Sequence, residues 1–339
     1  MLYKQTMIIP HDDPRLSWHG HVSLEQTEEY TRPWRIPFAQ KALFHVDLAQ
    51  RASTQAGIRL AIISDTRSLS GKLLRADDNQ KLDLYVNREL FGTVDLAAQD
   101  SFAFDNIPEG EKLLELWLPQ RGDFALQQLE VEEGASLAPY HDERPRWITY
   151  GSSITHCREA ASPSFTWPAI VARAYDFNHV NLGFGGHDHL DALIACEMRD
   201  MPADYISFGA GINICGGSSM NARTFGSSVI GFARIIREKH PTTPMAIMSP
   251  IYCKGYDESG KTNLVEMTLP DYRQAVHDAV EALKSCGDEN VFYVNGLELL
   301  NHDMTLFTTD EVHPTADGYK KMGENFLQLV APRLFGKQA

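Results

Sequence analysis

Cysteine is scarce and unevenly placed. The 339 residues hold five, Cys157, Cys196, Cys215, Cys253 and Cys286, and none precedes residue 157. An odd count without a C-x-x-C pair argues against a disulfide framework or a zinc ribbon and suits a reducing compartment. Long apolar runs are also lacking. No stretch approaches the ~18 apolar residues that a membrane span needs. The opening residues, Met1 to Pro10, contain no apolar run of the roughly 7–15 residues expected of a secretory signal, and His11, Asp12 and Asp13 follow at once. The expectation is a cytoplasmic protein with no membrane partner. Positive charge is in deficit as well: 31 Lys and Arg face 45 Asp and Glu, a formal net charge of −14. Such a chain repels phosphate backbones, so no nucleic-acid partner is expected. The surplus is even, with 14 basic against 21 acidic residues up to Tyr140 and 17 against 24 beyond it. An even spread reads as solvated surface, not as an acidic tail.

What is present is an ordinary globular composition, 43% hydrophobic and 22% charged, over a length that suggests two domains. The two parts have different periods. In residues 1–140 Lys81–Asn87 alternates with period two and Lys112–Leu118 does so more loosely. Ala42–Leu48, Gly57–Ser64, Ser101–Phe104 and Phe124–Val131 are further strand candidates. Ser70-Gly71, Asp77-Asp78-Asn79, Pro108-Glu109-Gly110 and Arg121-Gly122-Asp123 supply turn residues between them. Short strands at even spacing without a long helix predict an all-β sandwich.

From about Arg146 short apolar runs alternate with helical stretches. The runs are Trp147–Tyr150, Val180–Leu182, Tyr205–Phe208, Met245–Met248 and Val291–Val294. The helical stretches cover about 163–175, 189–200, 222–239, 269–286 and 315–333. In Asp271–Leu283, residues Tyr272, Ala275, Val276, Ala279, Val280 and Leu283 share one helical face. Alternating β and α elements predict a parallel sheet covered on both faces. The polar segment Ala138–Pro145, with two prolines, is the natural boundary, giving domains at 1–140 and 141–339.

In open parallel sheets, ligands bind beyond the carboxyl ends of the strands. Four such positions carry chemistry. They are Gly151-Ser152-Ser153-Ile154-Thr155, Gly183-Phe184-Gly185-Gly186-His187, Gly209-Ala210-Gly211-Ile212-Asn213 and Asp310-Glu311-Val312-His313-Pro314. A serine, a glycine-rich turn, an asparagine and an Asp/His pair on one edge form a parts list for acyl transfer. An imidazole with an ordinary pKa of roughly 6.5 suits proton transfer near neutrality. The spacing of Asp310 and His313 predicts both side chains on one side of a helical turn, with Pro314 opening the last helix.

These blocks resemble the SGNH (GDSL-type) hydrolases. Gly151-Ser152-Ser153-Ile154-Thr155 is similar to their Gly-Asp-Ser block with Ser152 in place of Asp. Asn181-Leu182-Gly183-Phe184-Gly185-Gly186 is similar to the glycine-bearing second block. Gly211-Ile212-Asn213-Ile214 is similar to the Gly-x-Asn-Asp block, with Ile214 replacing the final Asp. Asp310-Glu311-Val312-His313-Pro314 matches the Asp-x-x-His-Pro block, and the family order is kept over roughly 147–335. The resemblance implies a flavodoxin-like three-layer α/β/α domain, here behind a jelly-roll-like β-sandwich as in a subset of members. Some of these act on acylated sugars, and at least one is an acyltransferase. It implies Ser153 as nucleophile, His313 as general base and Asp310 as its orienting carboxylate. The implied oxyanion hole is the Ser153 N–H, the Gly186 N–H (Gly185 being one residue away) and the Asn213 amide. His156, His187 and Arg223 are expected to contact substrate. No metal and no cofactor is expected. The partner is a small-molecule ester, such as an acylated sugar or natural product.

Other readings compete. Ser152 and Ser153 could merely cap a helix, as could Asp310. His187-Asp188-His189 with Asp191, or His156 with Cys157, could hold a metal, although no H-E-x-x-H occurs. Gly183-x-Gly185 and Gly209-x-Gly211 begin a dinucleotide fingerprint but lack its third glycine, and the first block lacks the final glycine of G-x-S-x-G. Trp18, Trp34, Trp117 and Tyr85 could form a carbohydrate platform in a non-catalytic binding protein, although aromatic residues are more often core.

Overall fold

The computed structural model describes residues 5–74, 81–96 and 99–336. The chain divides into two compact units, Met1–Glu143 with Ser162–Ser164, and Arg144–Ala161 with Phe165–Ala339.

The first unit contains β1 (Thr6–Pro10), β2 (Ser17–His19), β3 (Ser23–Gln26), β4 (Thr31–Trp34), helix α1 (Val46–Ala52), β5 (Arg59–Ser64), β6 (Ser68–Leu73), β7 (Lys81–Val86), β8 (Glu89–Asp95), β9 (Ser101–Asp105), β10 (Lys112–Trp117) and β11 (Leu126–Glu132). One sheet runs β3-β4-β11-β6-β9 with β1 also on β11, and the other runs β2-β5-β10-β7-β8. Every pairing is antiparallel among the described strands. Leu69, Phe102, Phe104, Leu129 and Val131 of the first sheet meet Leu60, Ile62, Leu82, Leu84, Leu114 and Leu116 of the second in one core. Each such side chain contributes roughly 1.5–3 kcal/mol on burial. The sandwich expected from the alternation is therefore present.

Three local readings of this unit need correction. Ala42–Leu48 is not a strand. A 3₁₀ turn at Phe38–Leu43 leads into α1, in which Leu48 and Ala52 are buried while Leu43 and Val46 are exposed. Spacing of i and i+4 had won over apparent alternation. Ser70-Gly71 is not a turn but the interior of β6, where Gly71 lies so close to the Phe102 ring that a Cβ would fall 2.7 Å from it. The aromatic residues form no carbohydrate platform: Trp34, Trp117 and Tyr85 are buried, and Trp18 is half-buried against the core. Asp77-Asp78-Asn79 lies outside the described residues.

Two clusters of buried charged groups in this unit are paired. Arg59 sits over the Trp117 ring and reaches Glu115 at 3.3 Å and Asp142 at 3.4 Å. Asp83 accepts from Thr93, Ser162 and Ser164 hydroxyls, each at 2.6 Å. Breaking one partner of such a set leaves an uncompensated buried charge, costing about 3–5 kcal/mol.

The second unit holds a five-stranded parallel sheet of β12 (Arg146–Gly151), β13 (Asn178–Gly183), β14 (Tyr205–Gly209), β15 (Met245–Met248) and β16 (Val291–Val294). Their order is β13-β12-β14-β15-β16, the flavodoxin-like arrangement. Its helices are α2 (Ser153–His156), α3 (Trp167–Ala174), α4 (Ala192–Asp200), α5 (Ile212–Gly217), α6 (Phe225–Arg237), α7 (Lys254–Asp257), α8 (Leu269–Ser285), α9 (Gly296–Leu299), α10 (Ala316–Leu329) and α11 (Ala331–Leu334). Period two along β12 sends Trp147 to one face and Tyr150 to the other. Trp147 packs on Trp167 of α3 and Phe326 of α10, while Tyr150 stacks on Phe232 of α6 at 4.9 Å. Phe225 of α6 meets Tyr272 of α8 in turn. Helices thus cover both faces, as the β–α alternation required. Thr268 and Asp271 close a capping box at the start of α8, worth about 1 kcal/mol. Among the described residues, no helix is long and apolar enough to cross a membrane.

Candidate active site

The sheet ends at β12 and β13 in a turn that has room only for glycine. A Cβ on Gly183 would strike the Thr155 carbonyl carbon at 2.6 Å and the His156 nitrogen. Asn181, buried, ties the same two segments together. Its Oδ1 accepts from the Gly183 N–H at 2.7 Å, and its Nδ2 donates to the Thr155 carbonyl at 2.9 Å. These contacts hold α2 against the end of β13. Ser152 is the cap of α2: it is buried and its Oγ accepts from the Ile154 N–H at 3.2 Å. Ser153 follows as the first helical residue and keeps part of its surface open. Its carbonyl accepts from the Tyr319 hydroxyl at 3.4 Å, which ties the last long helix to this turn.

His313 reaches Ser153 from the opposite side of the sequence. Its Nε2 lies 2.8 Å from Ser153 Oγ, and its Nδ1 lies 2.6 Å from Asp310 Oδ2. With the ring proton on Nδ1 donated to the carboxylate, Nε2 is left to accept the serine proton. Asp310 Oδ1 accepts from the Thr308 hydroxyl at 2.6 Å and from the N–H groups of Val312 and His313, each at 2.9 Å. Burial acts to raise its pKa. The His313 and Thr308 donors, with the His313 ring and Val312, outweigh that and hold the carboxyl well below the usual carboxylate range.

The local structure here differs from the expected helical turn. Residues 309–313 form a turn and bend with Glu311 at φ 58°, and Asp310 meets His313 because its carboxylate folds back onto the two N–H groups that follow. Pro314 does not open the last helix either. It pairs with Phe307 in a short bridge, and Thr315 caps α10 by accepting from the Gly318 N–H. The Lys254 Nζ to Glu311 contact at 2.8 Å joins this turn to α7.

The remaining expected residues are placed as follows. Gly185 lies over Ser153: a Cβ there would be 3.4 Å from Ser153 Cβ. Gly186 follows with φ +82°, in the left-handed region that favours glycine, and is exposed. Asn213, in α5, is half-buried and its Oδ1 accepts from the Asp188 N–H at 3.1 Å. That bond fixes the amide, and among the described residues its Nδ2 donates to no acceptor. His156 is fully buried in α2, so it forms part of the wall under Gly185 and not a surface that meets solvent. His187 is half-buried, its N–H donating to the Phe184 carbonyl in the turn. Arg223 is exposed on the Asn221–Thr224 turn, and its side chain has no hydrogen-bond or ion-pair partner among the described residues. Thr308, Tyr319 and Asn181 shape the site but were not singled out from the sequence. Only Thr308 left a local signal, a hydroxyl two residues before Asp310.

The GDSL-like lipase/acylhydrolase family matches residues 144–331, and the family of SsfX3 N-terminal domains matches residues 16–127. Among solved structures, the chain is similar to the salicylyl-acyltransferase SsfX3 from a tetracycline biosynthetic pathway. Identity is 32%, the TM-score is 0.89, and 96% of this chain and 97% of that chain are covered. A GDSL-like lipase structure from Bacteroides ovatus shares the fold at 19% identity and a TM-score of 0.80, covering 98% of each chain. A family two carbohydrate esterase from Cellvibrio japonicus shares it at 15% identity and a TM-score of 0.67, over 98% of this chain and 99% of that one. No curated protein sequence matches the chain. The protein is thus an enzyme of the SGNH type, and the chain belongs to the GDSL-like lipase/acylhydrolase family.

Proposed function

We propose that the protein is a serine esterase in which Ser153 is the nucleophile, His313 the general base and Asp310 the carboxylate that orients it. The observation that carries this reading is the continuous hydrogen-bonded path from Ser153 Oγ through the two ring nitrogens of His313 to Asp310 Oδ2, at 2.8 and 2.6 Å. Ser153 Oγ bonds to the acyl carbon as its proton passes to His313 Nε2. The carbonyl oxygen becomes an oxyanion, for which the Ser153 N–H, the Gly186 N–H and Asn213 Nδ2 are the donors. The first helical N–H groups lack intrahelical acceptors, and Ser152 Oγ takes that of Ile154, which leaves the Ser153 N–H as the open donor. The imidazolium then protonates the departing alkoxide as the C–O bond breaks. Water, or an acceptor hydroxyl, repeats the sequence in reverse on the acyl-enzyme. The proton route runs through the side chains of Ser153, His313 and Asp310.

A second reading, transfer to an acceptor alcohol, is favoured by the likeness to a salicylyl-acyltransferase over nearly the whole of both chains. The substrate is a small-molecule ester, such as an acylated sugar or natural product. Five free cysteines, three of them buried, support a reducing, cytoplasmic setting. A panel of acetyl, longer acyl and aryl esters, assayed with and without sugar and phenol acceptors, separates the readings. Hydrolysis unaffected by any acceptor supports the esterase. Product partitioning to an added alcohol supports transfer. Covalent labelling of Ser153→Ala by a serine-reactive probe, or full turnover in that variant, overturns both.

A further inference from the structure

The proposed triad leaves one buried carboxyl unused. Asp188 follows Gly186 by two residues and is 1% exposed. Its backbone N–H is the one that holds Asn213 Oδ1. Its side chain lies beside the hydroxyl of Tyr150, which is itself fully buried and accepts from the Leu190 N–H at 3.1 Å. The other carboxyl oxygen, Oδ1, has no hydrogen-bond partner among the described residues. Asp188 also lines a cavity of about 40 Å³ together with Ser152, Thr155, Ile212 and Ser249. The site is built, and nothing in the triad chemistry requires it.

The groups that face this carboxyl are few. From β12 comes the Tyr150 phenol. From its own loop come the Leu190 N–H, which favours ionisation, and Asp191, whose charge opposes it. The polar side chains that share its cavity, Ser152, Thr155 and Ser249, do not titrate. An ionised carboxylate so deeply buried would want two or three donors. Here only the Tyr150 hydroxyl and the Leu190 N–H lie on the side of ionisation, burial opposes it more strongly, Oδ1 has no partner among the described residues, and a second acid lies nearby.

We infer that Asp188 is a neutral carboxylic acid and a positioning residue, which fixes the 184–190 turn and through it the Asn213 amide. The inference rests on the reading of Asn213 as an oxyanion donor. As a neutral acid, Asp188 can accept from Tyr150 while keeping a proton of its own for the cavity side. As an anion it would set a fixed negative charge behind the place where the oxyanion develops. Burial pushes its pKa up to about 8, so the neutral form prevails at pH 7 and is lost on the alkaline side.

The test compares Asp188→Asn, Asp188→Ala and Asn213→Ala with the parent enzyme, reading kcat, KM and the pH profile of kcat from pH 6 to 10 on an activated ester. The parent kcat is expected to fall on the alkaline side with a midpoint near 8. Asp188→Asn, neutral at every pH, keeps kcat within about threefold at pH 7 and removes the fall. Asp188→Ala loses the anchor of the turn and lowers kcat about 10- to 100-fold with KM little changed. An alkaline limb that is unaltered in Asp188→Asn overturns the inference, whether or not Asp188→Ala folds. So does an unchanged kcat in Asp188→Ala. Asn213→Ala separates the two levels. If it leaves kcat unchanged, the oxyanion reading itself falls. If it lowers kcat while both Asp188 variants behave as the parent, only the role of Asp188 falls.

Discussion

Asn213 offers a prediction in which catalysis and stability move in opposite directions. Its Oδ1 accepts the Asp188 N–H at 3.1 Å, and its Nδ2 is the proposed oxyanion donor. Asn213→Ala removes both groups. The orphaned, partly buried N–H costs about 1–3 kcal/mol of stability, and the lost donor lowers kcat by roughly 10²–10³. Asn213→Asp keeps an acceptor for the N–H and is nearly isosteric, so it folds more stably than the alanine variant. It replaces the donor with a carboxylate oxygen, however, and two unit charges ~4 Å apart repel by about 4 kcal/mol at an effective dielectric constant near 20. The oxyanion carries full charge only near the transition state, so the expected extra loss in kcat is at least about tenfold below Asn213→Ala, with KM little changed in both. Steady-state kinetics at pH 7.5 and urea denaturation midpoints give both orders. If Asn213→Asp is as active as Asn213→Ala, the amide is not an oxyanion donor and the reasoning fails.

Three further outcomes are expected. Gly183→Ala must push α2 away from β13, because the obstacles are backbone atoms of Thr155 and His156; a loss of at least about 1–3 kcal/mol should come with a lower kcat, and a variant with unchanged melting and turnover would contradict the packing. Asp310 has a folded pKa below its ordinary 3.8, so its ionised form stabilises the fold above that value and the benefit disappears as pH falls through the folded pKa; Asp310→Asn should therefore melt lower than the parent at pH 6, with the gap closing below about pH 4, while kcat at neutral pH drops up to ~10⁴-fold as the imidazole tautomer is misassigned. Asp188 has the opposite sign: between its ordinary 3.8 and about 8 the folded state holds a proton that the unfolded state has released. Stability thus falls with rising pH across that window, and Asp188→Asn should gain over the parent by an amount that grows to an upper limit on the order of 5 kcal/mol at ~1.36 kcal/mol per unit; a gap that does not change between pH 4 and 8 would refute the neutral acid.

The strands and helices of the second unit were legible because parallel strands buried on both faces read as short apolar runs, and helices such as Leu269–Ser285 carry a clean 3.6 period. Much of the first unit was not. β1 to β4 are short strands of mixed polarity, and β6 runs through Gly71, whose place against Phe102 is set by a strand elsewhere in the sheet. The Arg59, Glu115 and Asp142 side chains form a buried ionic cluster that no local pattern in the sequence marks.

The order of the four blocks along the chain was enough to name the family chemistry and its triad candidates, since each block follows a strand and strand ends share one edge. The sequence alone also set the fold class, because hydrophobic period reports which face of an element is covered. What it could not set is how a backbone folds back on itself at one point. Asp310 meets His313 through a non-helical turn in which the carboxylate is held by Thr308 and two following N–H groups. His156, adjacent to the nucleophile turn, is buried beneath it instead of lining it. Asp188 and Tyr150 lie 38 residues apart and join only when β12 and the 184–190 turn are packed together. Their pairing depends on burial and on which neighbours exclude water, and those are properties of the assembled tertiary structure, not of any local stretch of residues.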